Sequence, residues 1–368
     1  MSEETKKILL NRSDALGDNI LTMPMLEAIK DHDPHAKIAV LISALSVDLY
    51  LHHPHVDKIF VYHRKANFFK RWLQLMRAFK EFSPTHYLYV GGDHLVSFVA
   101  FLKGVDFRGG LLSRWPSFLF LNEGVRQRRS VVAMHESEYN LELLRPMGIE
   151  YHYTQREKFR PQIRLEEKEK RNAYEDFLNE LQKQGKKTDA ELIFIHPGMS
   201  GHTLNWSSRN FGRLILRIER HFPERFLFVI SYTPSDAPYL EGLKDHFSQM
   251  GPHVPHERVL FYNGASNGLR NYMCILSHAK LFIGSSTGTT HIANTLGVKT
   301  IALYSPIRVQ SSLRWGPFDD APSHLKVLVP DVVCGQTTTC AGPSCPYYEC
   351  MAKIEVEDVL KTVQQLLE

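Results

Sequence analysis

Polar turns that follow apolar runs hold the side chains of this 368-residue chain that could do chemistry. The first turn, RSDALGDNILTMPML, places Asp18 beside Gly17, where a helix is expected to begin. Asp18 could simply cap that helix, because a helix N-terminus favours a carboxylate. The same dipole favours an ionised aspartate, and a carboxylate at the end of a strand could accept a proton from a substrate. The residues alone leave both roles open.

A second turn, in LFIGSSTGTTHIANTLG, gathers hydroxyl groups and glycine ahead of a predicted helix. The hydroxyl residues are Ser286, Thr287, Thr289 and Thr290. With the permissive Gly288 and the free N–H groups of a helix start, they suit an anionic diphosphate. The segment has neither the spacing of a dinucleotide fingerprint nor the lysine of a P-loop. A capped turn is an equally good interpretation, because Ser and Thr are favoured caps.

The third turn, HPGMSGHTLNWSSRNF, contains Gly198, Ser200 and Gly201 and then Trp206. Glycines permit close approach by a phosphate, and the serines that follow are natural helix caps. Capping explains those serines, but it does not explain such a long glycine-bearing loop.

Short apolar runs alternate with helical segments, and this alternation must position the turns. The first half predicts a helix from about Ile20 to Asp31 and another through Phe79. Its predicted strands are KKILLN, KIAVLI, KIFVY and HYLYV. The second half predicts strands at ELIFIHPG, RFLFVIS, RVLFY, KLFIG and TIALYSP. Strands alternating with helices of this length indicate parallel β-α-β winding. The pattern restarts after residues 151–165, so we expect an α/β chain of two doubly wound, Rossmann-like lobes facing a cleft. Ligands in such sheets lie beyond the carboxyl ends of the strands.

This organisation predicts an N-terminal lobe over residues 1–163 and a C-terminal lobe over 164–350. Residues 351–368 are expected to form a closing helix, because apolar side chains recur there at helical spacing. Those side chains are Val356, Val359, Leu360, Val363 and Leu367.

Charge and hydropathy exclude several classes of protein. The 44 basic and 40 acidic residues give a net charge of +4, too small for a general nucleic-acid binder. The N-terminal segment MSEETKKILLNRS has an acidic start and only a short apolar run, which is unlike a secretory signal. Since no stretch reaches the ~18 apolar residues of a membrane span, we expect a cytoplasmic protein.

Taken together, the turns resemble glycosyltransferase family 9, the bacterial heptosyltransferases of the lipopolysaccharide inner core. The similarity runs through ILLNRSDALGDNILTMPMLEAIK, HESEYNLELLRPMG, IHPGMSGHTLNWSSRNFGRLI and IGSSTGTTHIANTLGVKTIALYSP. It implies the GT-B fold, a nucleotide-diphospho-heptose donor (usually ADP-heptose), a glycolipid acceptor, inversion at the anomeric carbon, and neither a metal nor another cofactor.

The resemblance also implies roles for individual residues. Asp18 falls on the family's catalytic aspartate, the general base that deprotonates the acceptor hydroxyl. Asp236 lies near the position where relatives carry a glutamate that holds the nucleotide ribose. The donor-binding residues so implied are Gly198, Ser200, Asn205, Trp206, Asp236, Ser286, Thr287, Gly288, Thr289, Thr290 and His291.

This sequence departs from the family pattern at two positions of the donor site. Leu204 stands where relatives usually have a lysine, and Ser286 stands in place of an aspartate. The leaving diphosphate would then need another cation, for which Arg209, His202 and His291 are candidates. The departures leave open another donor sugar or acceptor, and also a non-catalytic protein that binds a nucleotide sugar or glycolipid. A nicotinamide-dependent oxidoreductase is disfavoured, because neither lobe has G-x-G-x-x-G after its first strand.

Residues 63–82, HRKANFFKRWLQLMRAFKEF, combine six basic residues with an apolar stripe at helical spacing. The stripe consists of Phe68, Phe69, Trp72, Leu73, Met76 and Phe79. Such a stripe usually packs into a core, and its basic side faces solvent. The alternative is an interfacial helix that contacts anionic lipid at the inner membrane, with Arg126, Arg128 and Arg129 contacting the acceptor's charged groups.

Four of the five cysteines fall within CGQTTTCAGPSCPYYEC, at positions 334, 340, 345 and 350. The spacing is looser than the paired C-x-x-C of a zinc ribbon. Two interpretations stay open, a structural zinc and buried or redox-inert thiols in a loop. Cys274 lies in an apolar helical run and is expected in the core.

Overall fold

The chain divides into two compact units, Met1–Arg164 and Leu165–Glu368. This computed structural model describes residues 5–152, 156–199, 201 and 203–368. Ser200 and His202, both named above as candidate site residues, lie outside the described residues. The helix expected near the C-terminus is part of the second unit.

The first unit is built on a parallel sheet. Its strands among the described residues are β1 (Lys7–Arg12), β2 (Lys37–Ile42), β3 (Lys58–Val61), β4 (His86–Gly91) and β5 (Phe107–Gly110). They pair in the order β3-β2-β1-β4-β5. Its helices are α1 (Leu16–Ile20), α2 (Pro24–His32), α3 (Val47–Tyr50), α4 (Phe68–Phe82), α5 (His94–Leu102) and α6 (Glu136–Leu141). Strands β1, β2 and β4 are buried over nearly their whole length, as expected of a parallel sheet covered on both faces.

The second unit contains another parallel sheet. Its strands in the described part of the chain are β6 (Glu191–His196), β7 (Phe226–Tyr232), β8 (Val259–Asn263), β9 (Leu281–Ser285), β10 (Lys299–Leu303) and β11 (Leu325–Leu328). They pair in the order β11-β10-β9-β6-β7-β8. Its helices are α7 (Glu167–Lys183), α8 (Ser208–His221), α9 (Ala237–Met250), α10 (Gly268–Leu276), α11 (Gly288–Thr295), α12 (Ser312–Trp315) and α13 (Val356–Leu367). The predicted α/β class, with two doubly wound units, is therefore confirmed.

The helix predicted from about Ile20 to Asp31 forms as α2, but it begins four residues later than expected, at Pro24, and the short helix α1 precedes it. Pro24 causes the break between them, since it lacks an N–H and its ring would clash with the carbonyl of Ile20 in a continuous helix. Pro24 instead begins α2, where a free N–H is not needed.

The expectation that the apolar stripe of α4 packs into the core is wrong for its first half. Only Leu75, Ala78 and Phe79 are buried on this helix. The side chains of Phe68, Phe69 and Leu73 are 59%, 67% and 52% exposed. The helix thus carries a large apolar surface at its N-terminal end. None of the helices formed by the described residues combines the length and apolar character that crossing a membrane requires.

The core of the second unit joins α8 to α13. Phe211, Leu214 and Ile218 of α8 share one buried cluster with Val359 and Val363 of α13. The helix predicted from the spacing of the C-terminal apolar residues is confirmed.

Candidate active site

In each unit, the order of the strands reverses between two neighbouring central strands. These pairs are β1 and β4 in the first unit, and β6 and β9 in the second. Ligand sites of doubly wound sheets form at this point, beyond the carboxyl ends of the strands. Asp18 follows β1. Residues 198–206, called the Gly198 loop, follow β6, and residues 286–291, called the Thr287 turn, follow β9.

In the first unit, the buried side chain of Arg12 organises the site at the end of β1. Its guanidinium hydrogen-bonds Asp18 and lies 3.5 Å from Asp14 and 3.9 Å from Glu136. It also donates to the carbonyl oxygen of Val90, at the end of β4, at 2.9 Å. Burial acts to lower the pKa of Arg12, but the charges of Asp18, Asp14 and Glu136 outweigh it and raise the pKa. A permanently charged guanidinium therefore holds three carboxylates together.

Asp18 does not cap the helix that contains it. The N-cap position of α1 is Ala15, and Asp18 lies in the first turn with its side chain turned to Arg12. Arg12 engages Oδ1, while Oδ2 accepts no hydrogen bond from any residue that the structure describes. The side chain is 23% exposed. It is thus a fixed carboxylate with one oxygen open to a reacting group, which is what a general base needs.

The close packing around this group requires glycine at the end of β4. A Cβ atom at Gly91 would lie 2.5 Å from Asp14 Oδ2 and 2.7 Å from Arg12 Nη1. Gly92 has a φ of +99°, and a Cβ there would lie 2.2 Å from Ser13 Oγ. The two glycines at the end of β4 therefore leave space for the side chains of Arg12, Ser13 and Asp14.

The three arginines predicted to contact an acceptor have different surroundings. Arg126 and Arg128 are exposed. Arg129 instead bonds Glu136, which is buried, and donates to Asn140 Oδ1 at 3.1 Å. Its guanidinium is therefore engaged within the first unit, where it shares Glu136 with Arg12.

In the second unit, the turn after β9 presents the start of α11. Thr287 occupies the N-cap position, and its side chain accepts no hydrogen bond from the first-turn N–H groups in the described structure. Its hydroxyl lies 2.8 Å from that of Thr289, and both side chains are half-buried. These N–H groups and hydroxyls remain available to an anion.

The other predicted residues of this turn point inward. Thr290 is buried and donates its hydroxyl to the carbonyl oxygen of Ser285. Ser286 is buried, at 8% exposure. His291 is 5% exposed. We conclude that Thr290 helps to fix the shape of the turn and that Ser286 and His291 are turned away from solvent, while Thr287, Gly288 and Thr289 form its accessible edge.

Asn205 links the turn after β6 to the turn after β9. Its Nδ2 donates to the carbonyl oxygen of Pro197 at 2.7 Å. Its Oδ1 accepts from Ser285 Oγ and from the backbone N–H of Trp206. The side chain of Asn205 therefore fixes the Gly198 loop against the start of the turn after β9.

The side chain of Trp206 lies in the core. It is 1% exposed, and its Nε1 donates to the carbonyl oxygen of Ile354 at 2.8 Å. Any contribution of this residue to donor binding therefore passes through the position of the loop.

Asp236 is buried against Gly198. Its Oδ2 accepts from the N–H and the hydroxyl of Thr233, both at 2.7 Å, and lies 3.8 Å from His196 Nε2. A Cβ at position 198 would lie 2.3 Å from Asp236 Cγ, so only glycine fits there. In this structure, the carboxylate bonds Thr233 in the turn after β7 and packs against Gly198 in the loop after β6. The ribose contact implied by the resemblance stays a prediction.

Sequence reasoning missed Arg12 and Glu136. Both lie within segments quoted for the resemblance, but an arginine at the end of a strand and a glutamate at the start of a helix are ordinary surface patterns. Only their burial, at 4% and 2% exposure, reveals the role. A Glu–Arg pair separated by more than a hundred residues leaves no local signal in the sequence.

Known proteins are similar to this chain over most of its length. Residues 96–326, more than half of the chain, match glycosyltransferase family 9 (heptosyltransferase). A Haemophilus influenzae protein whose own assignment as a glycosyltransferase is provisional is 26% identical over 333 residues, which cover 88% of this chain and 90% of that protein.

Solved structures show the same fold over the whole chain. A family 9 glycosyl transferase from Veillonella parvula has a TM-score of 0.77 at 19% identity, covering 100% of this chain and 98% of that one. The ADP-heptose lipopolysaccharide heptosyltransferase II of E. coli has a TM-score of 0.75 at 16% identity, covering 99% and 98%. The chain therefore has the GT-B fold of two Rossmann-like units, and it belongs to glycosyltransferase family 9, the heptosyltransferase family.

Proposed function

We propose that this glycosyltransferase transfers a heptose from ADP-heptose to the inner core of lipopolysaccharide with inversion at the anomeric carbon. The observation that carries the proposal is the Asp18 carboxylate, held through Oδ1 by Arg12 with Oδ2 open. In the reaction, an acceptor hydroxyl oxygen forms a bond to C1 of the heptose, and the bond from C1 to the diphosphate oxygen breaks. Asp18 takes the hydroxyl proton, and ADP leaves with the bonding electrons. A single displacement of this kind inverts C1.

We assign the donor diphosphate to the start of α11. The N–H groups that begin at Gly288, together with the hydroxyls of Thr287 and Thr289, would stabilise the charge that develops on the leaving group. Backbone donors of this kind need no metal. They also offer an explanation for the departure at Leu204, because oriented dipoles can replace part of a missing cation. Arg209, which is exposed, is a candidate cation five residues after Leu204.

We assign the acceptor and the membrane to an aromatic surface of the first unit, defined by Phe68, Phe69, Phe101, Trp115 and Phe118. Ring contacts run from Phe68 to Trp72 at 6.0 Å and then through Phe98 and Phe120 to Phe101. A separate contact joins Trp115 to Phe118 at 5.6 Å. Its members are 40% to 72% exposed. Exposed basic residues border it in the sequence, namely Lys65, Lys70, Lys103 and Arg114. An apolar surface with a basic border is typical of peripheral contact with anionic lipid.

The test of the proposed function measures transfer and binding separately. Purified protein is given ADP-heptose and a heptose-deficient lipopolysaccharide acceptor, and product is followed by mass spectrometry. Asp18→Asn should lower kcat by 10²- to 10⁴-fold, the contribution of a general base, while the Kd for ADP stays within a few-fold of wild type. Asp48→Asn, in α3 of the same unit, is the matched control and should retain activity.

Two results would contradict the proposal. If Asp18→Asn transferred heptose at the wild-type rate, Asp18 would not be the base. If the wild-type protein bound ADP-heptose but transferred it to no acceptor, the non-catalytic alternative would be favoured.

A further inference from the structure

The segment that contains the four clustered cysteines lines a cavity of the second unit with a volume of about 440 Å³. Cys334, Cys340, Cys345 and Cys350 all contribute to its wall. All five cysteines of the chain lie in the described residues, and none forms a disulfide. The fifth, Cys274, is buried in α10.

The accessibility of these thiols is unlike that of core cysteines. Cys340 is exposed, and Cys334 and Cys345 are half-buried, so only Cys350 of the four is buried. The interpretation as buried thiols, which the sequence left open, is therefore wrong for three of them. Exposed thiols gathered at one cavity suit a metal ligand set better than packing.

The backbone already offers hydrogen bonds to two of the sulfurs. The N–H of Gly342 lies 3.3 Å from Cys340 Sγ, and the N–H of Tyr347 lies 3.4 Å from Cys345 Sγ. In both cases the donor is two residues after the cysteine. Gly342 has a φ of +62°, which a residue with a side chain rarely adopts. Such bonds stabilise negative charge on sulfur ligands.

We propose that Cys334, Cys340, Cys345 and Cys350 bind one Zn²⁺ as a structural tetrathiolate site. Across residues 5–152, 156–199, 201 and 203–368, no group of three or more metal-ligating side chains already has the geometry to hold an ion. Binding of zinc would therefore have to draw the four thiols together. The segment permits this because it consists of turns and short 3₁₀ helices.

The site would support the Gly198 loop. Asn205, Ser207 and Asn210 line the same cavity as the thiols. The hydrogen bond from Trp206 Nε1 to Ile354 O also ties this loop to the chain just after Cys350. A metal that fixes residues 334–350 would therefore hold one wall of the loop that we assign to the donor.

The test is the metal content of the full-length protein, purified without chelator and measured by inductively coupled plasma mass spectrometry. We expect about one zinc per chain in the wild type, and a loss of at least tenfold in the double variant Cys340→Ser/Cys345→Ser. Both positions are accessible to solvent, so the substitutions do not remove core contacts. Cys274→Ala, which removes a thiol outside the cluster, is the control and should keep its zinc. The double variant, or chelator treatment of the wild type, should lower Tm by about 5 °C or more.

Cobalt substitution gives an independent readout of the ligand set. Co²⁺ bound in place of zinc should show the absorption of a tetrahedral thiolate site in the wild type and in Cys274→Ala. Less than a tenth of an equivalent of zinc in protein whose thiols are all reduced would overturn the proposal, as would iron in its place. None of these measurements depends on the donor or the acceptor, so the proposal stands or falls separately from the proposed function.

Discussion

At the scale of single residues, the first unit depends on one buried cation. Arg12 is 4% exposed and faces Asp14, Asp18 and Glu136. Removing one partner of a buried ion pair costs more than the pair contributes, because the remaining charges stay buried without compensation. The Arg12 side chain therefore both stabilises the first unit and fixes the position of Asp18.

Arg12→Gln is expected to lower the free energy of unfolding by about 3 kcal/mol, because Glu136 and Asp18 lose a buried partner. Arg64→Gln is the matched control. Arg64 also faces Asp14, at 3.6 Å, but it is 61% exposed, so its loss should change stability by no more than about 0.5 kcal/mol. Urea titrations at pH 7 compare the two variants. Equal losses would show that the Arg12 network does not stabilise the unit.

His53 is expected to make stability depend on pH. Burial, with smaller effects of His55 and Arg164, lowers the pKa of His53 from 6.5 to about 4. The unfolded chain therefore binds the proton first as the pH falls. The contribution of the neutral His53 side chain to the free energy of unfolding is fully present above pH 6.5 and is lost as the pH falls toward 4. The free energy of unfolding should fall by about 2 kcal/mol between pH 7 and pH 5.

Urea unfolding at pH 7 and pH 5 measures this effect. His53→Gln should show a smaller difference between the two pH values than the wild type. His35→Gln removes an exposed histidine and should leave the wild-type difference unchanged. If the free energy of unfolding of His53→Gln changed between pH 7 and pH 5 as much as that of the wild type, other groups would cause the pH dependence.

At the scale of elements, the turns after strands determine the site. The parallel winding, the Asp18 turn and the Thr287 turn could be predicted, because alternating apolar runs and helix starts leave a strong local pattern. The strand β5 could not, because FRGG is short and half glycine. It forms because Gly110, with a φ of +141°, packs against the carbonyl of Tyr89, where a Cβ would lie 2.2 Å from the oxygen. Pro24 is a signal for the start of a helix, but the helical spacing of apolar residues continues across it and favoured a helix that begins earlier.

The inward-pointing residues of the candidate site were also beyond the sequence. Ser286, Thr290 and Asp236 have the right types for ligand contacts, yet all three are buried. Whether a hydroxyl or carboxylate bonds a ligand or its own turn is decided by a rotation of the side chain, and residue type does not record that rotation.

Gly198→Ala is expected to disturb the Gly198 loop, which we assign to the donor. The added Cβ would lie 2.3 Å from Asp236 Cγ, so the Asp236–Thr233 bonds must shift. Overpacking of this kind costs about 1–3 kcal/mol, and we expect the Kd for ADP to rise at least tenfold. Gly335→Ala, where nothing lies within 4 Å of the new atom, is the control and should bind ADP as the wild type does. Isothermal titration calorimetry measures both; unchanged affinity in Gly198→Ala would separate this loop from donor binding.

At the scale of the whole molecule, the net charge of +4 understates the local character of the first unit. The aromatic surface there is apolar, and its border is basic. Bulk composition averages such features away, so the sequence left the core and the interface as alternatives for α4. The exposure of its N-terminal half favours the interface.

Phe68→Ser/Phe69→Ser is expected to weaken binding to vesicles that contain anionic lipid by at least tenfold. Each phenylalanine would lose up to about 1.5–3 kcal/mol of burial in the interface. Leu313→Ser, which changes a side chain of the second unit that is 59% exposed, should bind like the wild type. Co-sedimentation with phosphatidylglycerol vesicles measures the three proteins. Equal binding of all three would remove the aromatic surface from the membrane contact.

The packing of α8 on α13 has a consequence for synthesis of the chain. The apolar face of α8 emerges from the ribosome more than a hundred residues before the helix that covers it. The second unit therefore remains incomplete until residue 367 has been translated, while the first unit can close its sheet soon after residue 110. We expect nascent chains stalled before α13 to present the face of α8 to chaperones, with the N-terminal half already folded.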